Sequence, residues 1–306
     1  MPAELIDGAG IAREIRRRLT DDVAKLAARG VQPGLTVILV GDDQASAAYV
    51  RSKGKASEEV GIASSTIRLP AATEQVELLR QVDELNTDPA VHGILVQMPL
   101  PKQIDPDVVM RHIHPSKDVD GFHPVNVGKM LIGQRDGFVP CTPAGIRELL
   151  RASGVATTGK ECVIVGRSNI VGKPMAALMM QDAENANCTV TICHRHTRDL
   201  REHTLRAEIL IVAAGRANLV TGDMIRPGAV VIDVGMNRIP DPSRPSGQRL
   251  VGDVDFESAK EVAALITPVP GGVGPMTIAM LLSNTVRSAS RFADARAVKG
   301  ERTVSA

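Results

Sequence analysis

A chain of 306 residues is long enough for two domains of ordinary size, and 43% apolar with 23% charged residues is a globular composition, which excludes disordered, collagen-like and coiled-coil chains. Lys and Arg total 36 against 35 Asp and Glu, a net charge of +1, so the broad positive field needed for general binding to nucleic acid or acidic membranes is missing. Aromatic residues at 2%, with no Trp, also remove the stacking platforms that single strands require.

The opening MPAELIDGAG carries Glu4 and Asp7 and no apolar signal-peptide core, and no apolar run approaches the roughly 20 residues of a membrane helix. A cytosolic protein is expected. Cys141, Cys162, Cys188 and Cys193 form no CxxC pair and read as buried thiols in a reducing compartment, without the clustered ligands of a structural zinc site.

The first β-branched run, LTVILVGD at 35–42, predicts a strand buried on both faces, and a helical pattern follows at 45–60. Tyr49 and Lys53 lie four apart on that helix and share a face, and the helix starts at the carboxyl end of a strand, where α/β sheets bind ligands. A solvated lysine is the competing reading. A second helix is expected at 74–86 and a second strand, GILVQ, at 93–97, ending on Gln97. Asp118 and Asp120 stand in SKDVDGFHP, where site roles compete with turn or capping roles.

The segment 98–160, rich in Pro, Gly, His and Asp, separates two groups of strands and predicts two sheets and two domains, with a boundary near Pro140 and a helix from about Pro143. Four further strands are expected at 161–166, 188–193, 208–215 and 228–235, each buried on both faces; their alternation with helices predicts an α/β fold with parallel sheets. IPDPSRPSGQR at 239–249 reads as a solvated loop or hairpin tip, and the tail after Arg291 as polar and frayed.

VIVGRSNIVGKP carries the strongest local signal: a strand ending at Gly166, a turn through Arg167 and Ser168, and a helix from about Gly172. A dinucleotide pyrophosphate needs that arrangement, because glycine lets the backbone approach and the helix N-terminus supplies N–H groups. The spacing is GxxxxxG, and Lys173 precedes Pro174, so a Walker A loop is excluded. Where an NAD site would end its next strand on an acidic residue, the chain has CHRHT. Arg195, with Arg167 and Ser168, suits a 2′-phosphate and favours NADP, against the reading of two solvated arginines. His194 and His196 are expected to point oppositely on an extended segment, which disfavours a metal role. PVPGGVGPMT at 268–277 places Pro270, Gly271 and Gly272 in a stiff loop bare of side chains, suited to a flat ring, ahead of a helix from about Thr277.

In this order GRSNIVGKP, the YVRSK helix, ILVQMPLP, KDVDGFHP, PCTPAGI, VIDVGMNR, VGDVDF and PVPGGVGPMT closely resemble the bifunctional methylenetetrahydrofolate dehydrogenase/methenyltetrahydrofolate cyclohydrolase family, over about residues 4–290. The resemblance implies a cytoplasmic, NADP-dependent homodimer in one-carbon metabolism and purine biosynthesis. It implies a folate domain of residues 1–140 with a returning helix of 276–306, a Rossmann-like NADP domain of 141–275, and a cleft between them. By position, Tyr49, Lys53, Gln97 and Asp120 match the family's catalytic and folate-binding residues, Pro270, Gly271 and Gly272 its substrate loop, and Gly166, Arg167, Ser168, Gly172, Arg195 and Met236 its cofactor contacts. Some members carry Ser where Arg195 stands, and Met236 replaces a common Ile. In the implied chemistry, a lysine tuned toward neutral pH transfers protons, Gln97 accepts a hydrogen bond from it, Tyr49 orients the amine and Asp120 meets the pterin edge in a bidentate pair. A monofunctional or different NADP oxidoreductase and a catalytically silent nucleotide-binding module are the alternatives; the retained Lys53 and Gln97 argue against the first, and the intact set of Tyr49, Lys53, Gln97 and Asp120 against the second.

Overall fold

The computed structural model describes residues 2–244 and 247–304, with side chains as far as Ala297. In chain order the elements begin with β1 (Glu4–Leu5), α1 (Gly8–Ala28), β2 (Gly34–Val40), α2 (Gln44–Glu59), β3 (Ala63–Leu69), α3 (Gln75–Thr87) and β4 (Gly93–Val96). They continue with α4 (Pro106–His112), α5 (Pro124–Leu131), α6 (Cys141–Ala152), β5 (Glu161–Val165), α7 (Gly172–Met179), β6 (Thr189–Cys193), α8 (Leu200–Thr204) and β7 (Ile209–Val212). The last are β8 (Val230–Asp233), β9 (Asn237–Pro240), β10 (Gln248–Val251), α9 (Phe256–Ala259), β11 (Leu265–Ile266) and α10 (Val273–Val304). Among the described residues no helix is long and apolar enough to cross a membrane.

The chain divides into two units. One comprises Arg13–Lys129, Arg135–Val139 and the chain from Ile278; the other comprises the chain up to Ala12, Met130–Gln134 and Pro140–Thr277. The sequence reading keeps residues 1–12 with the first of these, whereas β1 pairs in parallel with β11 (Glu4 with Leu265, Leu5 with Ile266) and so joins the second. Two-residue strands carry no periodicity, so this pairing leaves no mark in the sequence.

The first unit holds a three-stranded parallel sheet in the order β3-β2-β4. Its central strand β2, GLTVILV, is buried at all seven residues. The edge strand β3, ASSTIRL, is exposed or half-buried throughout, and its thin apolar content explains why no strand was expected there. α3 turns Leu78, Val82 and Leu85 onto Ile38, Val40, Ile94 and Val96, and each such side chain contributes roughly 1.5–3 kcal/mol on burial. α10 closes the unit: Arg287 and Arg291 stack on Phe138 at 5.9 and 4.9 Å, Ser288 Oγ donates to Ser116 O (2.8 Å) and Asn284 Nδ2 to Val119 O (2.8 Å). The helix therefore holds the segment that leads to Asp120.

The second unit is a six-stranded sheet in the order β1-β11-β8-β7-β5-β6, parallel throughout, with the antiparallel hairpin β9–β10 beside it. β7 is buried at every residue and β5 and β8 at all but the first, as their apolar runs predict. β6 differs. It is an edge strand, mostly half-buried or exposed, with Ile192 at 40% exposure, because nothing pairs with it beyond β5 among the described residues. Two further corrections concern α10, which starts at Val273 rather than near Thr277 and remains helical to Val304 rather than fraying after Arg291. Pro245 and Ser246 of the expected hairpin tip, and Ser305 and Ala306 of the tail, lie outside the described residues. All four cysteines are buried and free.

In the first unit His92 is 4% exposed and its ring meets Phe292 edge-on, with centroids 5.1 Å apart. Its Nδ1 accepts from Gly34 N–H (3.1 Å), which leaves the proton on Nε2, a buried atom with no hydrogen-bond partner. Burial, then the Lys117 charge, hold His92 below the ordinary histidine range, against smaller opposing pulls from a backbone hydrogen bond at Ala90 and from Asp88. A histidine held neutral in the fold and protonated near its usual pKa when unfolded costs stability as pH falls below about 6.5, by at most about 1.4 kcal/mol per pH unit. His92→Asn places an amide oxygen where Nδ1 stood, so it keeps an acceptor for Gly34 but does not titrate. Urea denaturation at pH 7.5 and 5.5 should show the parent losing more stability on acidification than His92→Asn; equal losses would refute the assignment.

Candidate functional site

α2 begins where β2 ends. Gly41 turns the chain at φ 85°, and Asp43 caps the helix by accepting from Ser46 N–H at 2.7 Å, a contact worth about 1 kcal/mol. The buried face of α2 is Ser46, Val50, Lys53, Ala56 and Ser57. Lys53 is thus 8% exposed rather than solvated. Its Nζ donates to Gln97 Oε1 at 2.9 Å, and Gln97 directly follows β4, anchored by its own N–H to Ile38 O (2.8 Å) and by Nε2 to Met98 O (2.8 Å). Tyr49, half-buried, precedes Lys53 by one turn on the same helix. The carboxyl ends of β2 and β4 thereby place an amine and an amide together.

Asp120 stands half-buried in the loop beside β4, where Asp118 makes a parallel bridge with Ile94. Asp118 is itself 2% exposed and takes the turn role: its carboxylate accepts from Gly121 N (3.1 Å), Phe122 N (3.2 Å), His123 N (2.7 Å) and Asn126 Nδ2 (2.8 Å). Burial pushes its carboxyl up to about 6, with Asp120 adding to the rise, while the Asn126 and backbone hydrogen bonds pull the other way. Asp118 is therefore the residue that shapes this loop.

In the second unit the Gly166 turn has the geometry of a backbone cradle. Gly166 has φ 134°, and a Cβ there would lie 2.2 Å from Ala213 O; a Cβ on Gly172 would lie 2.2 Å from Gly166 O. Ser168 Oγ accepts from Val171 N (3.1 Å) and Gly172 N (3.4 Å), leaving its hydrogen to donate, and Lys173 Nζ is directed to Asn169 Oδ1 (2.7 Å) rather than into the turn. Arg167 and Arg195 are both exposed. Each follows by two residues a member of the paired positions Val165 and Cys193, so adjacent strands deliver both guanidiniums at one end of the sheet. A tight glycine turn, a helix start and paired arginines fit a phosphorylated dinucleotide. The expectation that His194 and His196 point oppositely fails: β6 ends at Cys193, the chain turns through Thr197 N→His194 O (2.8 Å), and the two rings lie 6.0 Å apart edge-on. Among the described residues no group of three or more His, Cys, Asp or Glu is placed to hold a metal ion.

Residues 268–272 run as a turn closed by Gly272 N→Pro268 O (2.9 Å), with Pro270 exposed and Gly271 at φ 111°. A Cβ on Gly272 would lie 2.7 Å from Thr267 Cβ, and one on Gly8 would lie 2.0 Å from Gly272 O, so this loop admits no extra bulk. Met236 is 46% exposed.

Sequence reasoning missed the support beneath these residues. Asp233 and Asp253 are 3% and 0% exposed. Asp233 accepts from Gly235 N (2.9 Å), Asp253 N (2.9 Å) and Val254 N (3.0 Å); Asp253 accepts from Ala214 N (2.6 Å), Gly215 N (2.7 Å) and Asn237 Nδ2 (2.8 Å). Burial, with the Asp253 charge, raises Asp233 to about 6 against those backbone hydrogen bonds. The signal was present in VIDVGMNR and VGDVDF, each an acidic residue at a strand end beside glycine.

Residues 6–120 match the model of the tetrahydrofolate dehydrogenase/cyclohydrolase catalytic domain, and residues 140–293 that of the family's NAD(P)-binding domain. The chain is 58% identical over 289 residues to the bifunctional protein FolD of Prosthecochloris aestuarii, covering 94% of this chain and 98% of that one. It is similar to the crystal structure of the bifunctional FolD methylenetetrahydrofolate dehydrogenase/cyclohydrolase of Campylobacter jejuni (49% identity, TM-score 0.89, 94% and 99% of the two chains). It is also similar to the Trypanosoma brucei enzyme solved with NADP cofactor and inhibitor (44% identity, TM-score 0.90, 95% and 98%). With both domain models matched in order and relatives above half identity along nearly its whole length, the chain belongs to the tetrahydrofolate dehydrogenase/cyclohydrolase family.

Proposed function

We propose that Lys53 is the proton-transfer group of this enzyme, which oxidises 5,10-methylenetetrahydrofolate to 5,10-methenyltetrahydrofolate with NADP and hydrolyses the product to 10-formyltetrahydrofolate. The observation that carries the assignment is the Lys53 Nζ to Gln97 Oε1 hydrogen bond of 2.9 Å on a lysine only 8% exposed. Gln97, fixed to β2 and to Met98 O, holds the amine at one place. That matters because oxidation leaves positive charge on the bridging carbon, and hydrolysis then needs protons moved between water and a ring nitrogen. When bound, NADP supplies the acceptor for the hydride. Gly166 and Gly172 let the backbone approach its pyrophosphate, and Arg167, Ser168 and Arg195 take its 2′-phosphate, with Met236 as a further contact, while Pro270, Gly271 and Gly272 lie against the folate. Tyr49 packs on the folate and orients the amine, while Asp120 receives the paired N–H donors of the pterin edge.

The same reading takes the chain as a cytoplasmic homodimer that supplies formyl groups to purine biosynthesis, with no nucleic-acid or membrane partner. The net charge of +1 and four buried, free thiols support it.

Lys53→Met keeps the apolar stem and removes the amine. Cyclohydrolase activity should fall far more than dehydrogenase activity, with methenyltetrahydrofolate accumulating, because alignment of the bridge for hydride loss depends less on an amine. Retention of cyclohydrolase within about tenfold of the parent, a barrier change of only about 1.4 kcal/mol, would remove Lys53 from the proton path.

Asp120→Asn presents an N–H where an acceptor is required, so the folate KM should rise in both reactions together. An unchanged folate affinity would reduce Asp120 to a loop residue.

Arg195→Ala should raise the KM for NADP by roughly ten- to a hundredfold, the equivalent of losing one charge-assisted contact of about 1.5–3 kcal/mol, while sparing NAD. Equal use of NAD and NADP by the parent enzyme would contradict the 2′-phosphate assignment.

A further inference from the structure

We propose that Asp233 and Asp253 are positioning residues for the dinucleotide, clamping the loops that follow β7 and β8 against the Gly166 turn. The inference rests on the reading of that turn as the cofactor cradle.

The clamp has two arms. In the first, Asp253 Oδ2 receives both Ala214 N (2.6 Å) and Gly215 N (2.7 Å), at the point where β7 has just ended and the backbone turns through Gly215 at φ 67°. The preceding residue, Ala213, donates to Val165 O (2.7 Å), and its carbonyl oxygen is the atom that a Cβ on Gly166 would strike at 2.2 Å. The loop held by Asp253 is thus the wall against which the first glycine of the cradle rests. Any slackening moves that wall.

In the second arm, Asp233 Oδ1 receives Gly235 N (2.9 Å), and Asp253 Oδ1 receives Asn237 Nδ2 (2.8 Å). Met236 lies between these two pinned residues with its side chain 46% exposed, so its thioether is presented from a backbone fixed on both sides. The two arms are joined, because Asp253 N donates to the same Asp233 oxygen at 2.9 Å. Gly252 belongs to the joint, since a Cβ there would come within 1.7 Å of Asp233 Oδ2. In open α/β sheets a dinucleotide runs across the carboxyl ends of the strands, so the part beyond the pyrophosphate passes the ends of β7 and β8.

Two buried carboxylates, one of which accepts the other residue's backbone N–H, are a poor way to gain stability, because each charge is desolvated in the field of the other. Their return is precision: backbone N–H donors from separate segments converge on fixed oxygen atoms, and a ligand-bearing wall must be held within about half an ångström to be useful.

The test uses the full-length enzyme, three variants of the clamp and one reference variant. Asn237→Ala removes one arm from a half-buried position without orphaning a buried donor; Asp253→Ala removes the hub; Asp253→Asn restores an acceptor for Ala214 and Gly215. NADP affinity is measured by calorimetry, and cyclohydrolase rate is measured on methenyltetrahydrofolate without cofactor. Asn237→Ala should weaken NADP binding about three- to tenfold and Asp253→Ala more than tenfold, with partial recovery in Asp253→Asn and cyclohydrolase rates within twofold of the parent. If Asp253→Ala does not fold, Asn237→Ala and Asp253→Asn decide. NADP affinity within twofold of the parent in Asn237→Ala, or cyclohydrolase falling in step with NADP affinity, overturns the inference. Arg195→Ala serves as the reference: if it too leaves NADP affinity unchanged, the cradle reading itself has failed, whereas an effect there and none in Asn237→Ala defeats the clamp alone.

Discussion

Buried aspartates accepting backbone N–H groups are the constraint on which both units depend. A parallel sheet gathers its loops at the carboxyl ends of the strands, where chemistry is possible, and those loops have N–H groups that no strand or helix satisfies. Asp118 takes three such groups and an asparagine amide, Asp233 takes three, and Asp253 takes two and an asparagine amide. Each is almost fully buried, so each converts a run of loop backbone into a rigid surface. Removing one would leave several donors without partners, at about 1–3 kcal/mol apiece where water cannot replace the carboxylate.

The same use of buried aspartate separates the two acidic residues of the loop beside β4. Asp118 and Asp120 are two residues apart and chemically identical, yet Asp118 is consumed by the loop while Asp120 stands half-buried at its surface. The same contrast separates Lys53 from the other cations of its helix. Arg51 and Lys55 are exposed, whereas Lys53 falls on the stripe of Ser46, Val50, Ala56 and Ser57 that faces the sheet, and its amine meets an amide fixed at the end of β4. Placement relative to the sheet, rather than residue type, selects which cation of this helix is buried against an amide.

The strands that carry these groups were readable because they are buried. β2, β4, β5, β7 and β8 are continuous apolar runs, and burial on both faces leaves no room for another pattern. Edge strands β3 and β6 are less apolar, so one was missed and the other was credited with too much burial. The two-residue strands β1 and β11 are too short to carry periodicity, and their pairing carries the chain's first segment into the second unit.

The sequence by itself determined the α/β class, the two groups of strands and the glycine turn at Gly166, because each follows from local spacing, whereas spacing only singled out Tyr49, Lys53, Gln97 and Asp120 and their roles came from the family resemblance. Only the tertiary structure decided that Lys53 is buried and bonded to Gln97, 44 positions away, and that His194 and His196 turn toward each other. The same is true of Asp233 and Asp253, which close on loops from two other strands. Those facts depend on which strands become neighbours, and that is set by burial summed over a whole sheet rather than by any window of sequence.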